Sequence, residues 1–125
     1  MIDTINAYSE IIKENISYDY LCKQDKIRAY EIHELFEIML ETVCSTRATI
    51  RVGREDMPAE IVKSRLLKLD YSHIEYVIDS MDKTTTDVRD MRSYLLTALY
   101  RAPTTIANKH KAEANHDLYA AQPLK

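Results

Sequence analysis

Apolar side chains recur at helical spacing through most of this chain, most completely between Pro58 and Met81. Ala59, Val62, Leu66 and Leu69 share one side of a 3.6-residue repeat, and Pro58 stands where a first turn needs no amide proton. The spacing predicts a helix that stops near Asp70. Ser72-His73-Ile74-Glu75 fits a capping box, with the serine oxygen taking the N3 amide proton and the glutamate reaching back to the N-cap amide. A second helix follows, with Ile74, Val77, Ile78 and Met81 as its stripe. Burying four such side chains is worth roughly 6 to 12 kcal/mol before chain entropy is subtracted, against about 1 kcal/mol for a cap. The stripe therefore holds the pair together and the cap sets its register.

The same periodicity marks out the rest. Asp3 is an N-cap candidate for a first helix with Ile5, Tyr8, Ile12 and Ile16 on its apolar face, and Ser17 for a short turn through Leu21. Asp25 offers the next start. From Lys26 to about Cys44 the residues Ile32, Leu35, Phe36, Met39, Leu40 and Val43 form a wide stripe, opposite Glu31, Glu34, Glu37 and Glu41. That acidic row reads as a solvated face, because carboxylate metal sites in bundles project inward and pair Glu with His three residues on. Between Arg47 and Met57 the helical period fails. Thr49-Ile50-Arg51-Val52 alternates like a strand and is followed by Gly53, which predicts an extended arm or a short two-stranded pairing with another segment, a second subunit included. Glu55 and Asp56 would favour the dipole of the helix starting near Pro58. After Met81, Thr84, Thr86 and Asp87 are N-cap candidates in a loop. Val88, Met91, Leu95, Ala98, Leu99 and Ala102 give a further helix its face, and Pro103 predicts a break or kink at its end. Beyond it only Ile106, His110, Ala114 and Leu118 continue a thin stripe.

These segments predict an all-α fold, a compact multi-helix domain of about five to six helices with at most a short extended segment near Thr49 to Val52. A single helical domain over residues 1–119 and a flexible tail over 120–125 are expected. With one glycine, Gly53, and three prolines in 125 residues, the chain lacks the turns a many-stranded sheet requires. Cys22 and Cys44 are far apart, with no metal-knuckle or redox spacing, and read as packing residues of a reducing compartment. No apolar run is long enough to span a bilayer, and MIDTINAYSE has no signal-peptide pattern, so a cytoplasmic location is expected.

Candidate chemistry is sparse. His33-Glu34 opens HELFE without the second histidine of a zinc helix, His110 and His116 are spaced onto different sides of a helix, and no GxSxG or phosphate-cradling glycine loop occurs. No catalytic, metal or cofactor site is expected, and the chain reads as a non-enzyme. The formal net charge of -3 argues against bulk coating of nucleic acid but allows a local basic patch. Arg47, Arg51, Arg54, Lys63, Arg65 and Lys68 form such a set, with Arg51, Arg54, Lys63 and Lys68 the candidates for contact with phosphates or an acidic partner. Tyr94, Tyr100 and Arg101 offer a second candidate surface for stacking and phosphate contact. Solubilising charge and core-margin tyrosines are the plain alternatives.

Several separated blocks carry a resemblance: AYSEIIKENISYD, LETVCSTRATIRV, MPAEIVKSRLLKLDYSHIEYVIDSM and RSYLLTALYRAPTTIANKHKAEANHDLY. In that order, over nearly the whole chain, they resemble the C-terminal domain of replication initiator protein A of Gram-positive plasmids and integrative conjugative elements. The resemblance implies a DnaD-like helical domain that follows an origin-binding winged helix in a bacterial, cytoplasmic initiator. It implies partners such as the primase or the helicase-loading machinery, and single-stranded DNA. Of the Tyr-x-x-x-Ile-x-x-Trp motif of DnaD-like domains only the tyrosine is matched, by Tyr94, and Ala98 and Arg101 stand where the motif has isoleucine and tryptophan. A structural or dimerising module of the initiator, a homodimer without nucleic-acid contact, is the alternative.

Overall fold

The computed structural model describes residues 2–83 and 90–121. Thr84, Thr86, Asp87, Val88, the side chains of His116 and Leu118, and the end of the tail lie outside the described residues. Helix α1 spans Ile2–Asn15 and buries Ile12 completely, with Ile16 buried just beyond it. Asp3 lies inside the first turn rather than at the N-cap, where its charge still favours the helix dipole. Ile5 is exposed, so the buried face is narrower than its spacing suggests. Ser17 turns the chain into α2, Tyr18–Gln24, in the left-handed region (φ 55°), and its side chain makes no capping bond. Its carbonyl accepts from the Leu21 amide instead.

Asp25 caps α3, Lys26–Val43, by accepting the Ile27 amide at 2.9 Å. Ile32, Leu35, Phe36, Ile38, Met39 and Val43 are buried there, and Leu40 partly so. Glu34, Glu37 and Glu41 face solvent as expected. Glu31 does not. It is half-buried, one carboxylate oxygen has no hydrogen-bond partner, and burial with Asp82 nearby pushes its pKa up despite Arg28.

The expected extended segment is one half of a hairpin. Strand β1, Thr49–Val52, pairs antiparallel with β2, Glu55–Pro58, so its partner is the adjoining stretch of the same chain. Gly53 takes positive φ (64°) at the two-residue turn, a position an L side chain fills only under strain. Glu55 and Asp56 are thereby strand residues, and Pro58 closes the strand and precedes α4, Ala59–Leu66. Ala59, Val62, Leu66 and Leu69 are all buried, as their spacing requires.

Helix α5, Tyr71–Lys83, is capped by Asp70 and not by Ser72. The Asp70 carboxylate accepts the Ser72 amide at 2.9 Å, the His73 amide at 3.3 Å and the Ser72 hydroxyl, while His73 Nδ1 accepts from the Asp70 amide at 3.0 Å. The reciprocal logic of a capping box is kept, shifted two residues earlier, with histidine in the glutamate's role. A carboxylate outcompetes the serine hydroxyl because it accepts several bonds as an anion at the positive end of the helix. Partial burial opposes ionisation of Asp70, yet the bonds from Ser72 and His73 outweigh it and hold its carboxyl below the usual range. Asp70→Ala is expected to cost about 1 kcal/mol near neutral pH. Because the folded-state pKa is depressed, this contribution is complete above the ordinary aspartate value of about 3.9 and is lost as pH falls through the folded value. Urea unfolding of both proteins checks it; a gap that stays constant down to about pH 2 removes the charge from the account.

The last helix, α6, spans Met91–Ala121 and is capped by Asp90, which accepts the Ser93 amide at 3.1 Å. Pro103 lies inside it and does not end it. Buried Leu95, Leu99 and Ala102 anchor the helix before the proline, and good helix formers continue it afterwards. From 107 to 115 it is exposed on every side. Helix α3 touches α1, α2, α4, α5 and α6, so the core is built around it, and the hairpin lies against α4 and α6. Among the described residues the architecture is six helices and one hairpin, the all-α class the periodicity predicts. No described helix is long and apolar enough to cross a membrane.

Candidate nucleic-acid interface

The hairpin turn is fastened to the middle of α6. The Gly53 amide donates to Thr97 Oγ1 at 3.0 Å, and a Cβ at Gly53 would stand 3.3 Å from Arg101 Nη2. The turn of the hairpin that carries Arg51 and Arg54 thus lies against Arg101 of α6 through Gly53. Arg54 is exposed at the turn itself. Arg51 is also exposed and faces Asp56 across the hairpin at 3.5 Å, a pair in which each residue directly opposes the other. At that exposure the pair is worth well under about 1 kcal/mol, so the guanidinium is readily surrendered to another anion.

Arg101 also joins two grooves. One, of about 330 Å³ between α5 and α6, is lined by Tyr76, Val77, Tyr94, Ala98, Arg101 and Thr105. Here the two tyrosines come from different helices and stand beside an arginine. The other, of about 380 Å³, runs between β2 and α6 past Arg65, Tyr100 and Arg101. The Arg65 guanidinium lies 4.3 Å above the Tyr100 ring, a cation–π contact that leaves Tyr100 itself 9% exposed. Tyr100 is therefore core margin under an arginine lid. Lys109 lies 5.8 Å from the Tyr76 ring on the following turns of α6.

Two expected residues stand apart from this cluster. Lys63 is half-buried and donates to the Ser45 carbonyl at 2.6 Å, so it pins the loop after α3. Lys68 is exposed between α4 and α5. The structure adds Tyr76 and Lys109 to the surface and sets Arg65 of the basic set over Tyr100. Linear spacing separates the arginines of the hairpin from the tyrosines of the helices, and the docking of the turn on α6 brings the hairpin up to Arg101, which lines the tyrosine groove.

Among the described residues no group of three or more histidine, cysteine, aspartate or glutamate side chains is placed to hold a metal ion. Cys22 and Cys44 are free and half-buried, and burial pushes the Cys44 thiol up although Lys63 opposes the shift. The surface offers open grooves with cations at their rims, an arrangement suited to binding an extended anionic polymer. No curated protein and no solved structure matches the chain significantly. A family model matches residues 1–121, nearly the whole fold just described, and the chain belongs to that family, the family of unknown function DUF6017.

Proposed function

We propose that this chain is a non-enzymatic interaction domain of a plasmid or mobile-element replication initiator, and that it contacts single-stranded DNA. The observation that carries the reading is the docking of the hairpin turn, whose strand and turn carry Arg51 and Arg54, against Arg101, which lines the Tyr76 and Tyr94 groove. Unpaired bases stack on aromatic rings without regard to sequence, while guanidinium groups neutralise the phosphates between them. The resemblance of the sequence blocks to initiator C-terminal domains supports the same reading and adds the primase or the helicase-loading machinery as protein partners. The location that goes with it is the bacterial cytoplasm.

Fluorescence anisotropy with a labelled oligothymidylate, titrated across salt, tests it. Binding that weakens linearly in log affinity against log salt is expected, and Arg54→Ala with Arg101→Ala lowers the affinity by about tenfold. No binding at low salt to the oligonucleotide or to purified primase overturns the proposal.

A second reading, a dimerising brace for the initiator, draws on a different observation. Ile2, Ile5 and Ile11 on α1 and Ile27 and Tyr30 on α3 are large apolar side chains left exposed. Light scattering separates the two readings. A salt-insensitive dimer without affinity for DNA favours the brace, and a monomer at all concentrations removes it.

A further inference from the structure

We propose that the recess between the α3–β1 loop and the start of α6 is a binding site for phosphates of single-stranded DNA, with Arg47 of the basic set and Arg92, which neither composition nor motif singled out, as contacts. The recess has a volume of about 600 Å³ and carries Arg47, Arg51 and Arg92 around Ser45, Thr46 and Ser93. The three arginines come from a loop, a strand and a helix. Glu41 is the one acid in the lining, and the Asp56 and Asp90 carboxylates stand beside it on Arg51 and Ser93. Three guanidinium groups around one recess supply charged donors that suit phosphate oxygens.

The cations are held in readiness. Arg92 rests on Glu41 at 2.7 Å, an exposed ion pair, and Arg51 rests on Asp56. Arg47 is exposed, with no ion pair among the described residues. Its backbone amide donates to Ser45 Oγ at 3.2 Å, while Lys63 fixes the Ser45 carbonyl from the other side. Lys63 is thus a positioning residue for the loop. The floor includes Ile50 and Leu96, apolar surface suited to a sugar or base edge between two phosphates, where an acidic peptide would set a further carboxylate. Arg51 belongs to this recess and to the hairpin whose turn reaches Arg101, while the recess itself shares no lining residue with the tyrosine groove.

This inference rests on the proposed contact with single-stranded DNA, and the experiment separates their failures. Anisotropy of a labelled oligothymidylate is titrated across salt for the full chain, for Arg47→Ala with Arg92→Ala, and for Glu41→Gln, each checked for native helicity by circular dichroism. The double variant is expected to bind about tenfold more weakly and to flatten the log-log salt slope by about 1.4, two contacts at about 0.7 each. Glu41→Gln frees Arg92 and tightens binding by up to about fivefold, a gain that loss of a merely structural ion pair would not give. A parent chain that binds while the double variant matches it in affinity and slope overturns the recess and leaves the wider proposal standing. A parent chain that does not bind overturns both. Equal or tighter binding of a duplex or of oligouridylate overturns the assignment to single-stranded DNA, and displacement by polyglutamate of matched charge overturns the assignment to phosphate.

Discussion

Replacing Leu99 by alanine is expected to lower the free energy of unfolding by about 3 kcal/mol. Leu99 is completely buried, one turn after the equally buried Leu95, on the part of α6 that meets α3, α4, α5 and β1. Truncation removes the transfer free energy of the lost methyl groups and leaves a cavity that helices fixed by several neighbours close only in part. Chains of this size have a total stability of about 5 to 15 kcal/mol, so the loss is a large share and the midpoint of thermal unfolding should fall by about 10 °C. Chemical denaturation with an unchanged slope against denaturant is the check. A loss below about 1 kcal/mol would mean that α6 moves in to fill the space, against the packing described here.

Pro103→Ala is expected to act in the opposite direction, raising stability by about 2 kcal/mol. Proline in a helix interior lacks the amide that would meet the Leu99 carbonyl and crowds that carbonyl with its ring, a cost of about 3 kcal/mol relative to alanine. Part of the gain is offset because Pro103 is half-buried and its ring covers apolar surface. Two residues on, Thr105 Oγ1 donates to the Arg101 carbonyl at 3.0 Å, a side-chain bond near the missing backbone one. Arg101 and Thr105 flank the proline and line both grooves of the candidate interface. The same variant therefore tests whether the local helix geometry matters for the proposed contact with DNA: a stabilised protein with unchanged affinity separates the proline from the surface. Thermal unfolding that is unchanged or earlier in Pro103→Ala would show the ring to be worth more as packing than it costs as a helix breaker.

Much of the fold is legible in the chain because local signals and burial agree. Helix α3 is the clearest case: Asp25 supplies the cap, and the stripe from Ile32 to Val43 is wide enough to admit one period only. Strand β2 was hidden because Glu55-Asp56-Met57-Pro58 has neither alternation nor β-branched residues, and its extended form is imposed by pairing with β1. Asp70 and Ser72 are both competent caps by residue type, and the choice is made by a carboxylate reaching two amides and a hydroxyl at once. Pro103 shows tertiary anchoring overruling a local veto. At the candidate interface the arginines were visible as a set, but Tyr76 and Arg92 were not, since nothing in their own helices distinguishes them from margin residues. Tyr76 owes its company to the packing of α5 on α6, and Arg92 to the loop and strand that border the start of α6.

The placement of α3 has a thermodynamic corollary. A rod walled in by α1, α2, α4, α5 and α6 cannot lose any one of these neighbours without wetting its own buried stripe. Amide protons along its length should then exchange only when the whole molecule opens, and at the same free energy, whereas those of the bare turns at 107–115 are free to exchange by local fraying. Cooperativity in this protein is thus a property of one central rod, and the hairpin with its grooves rides on a scaffold that opens all at once.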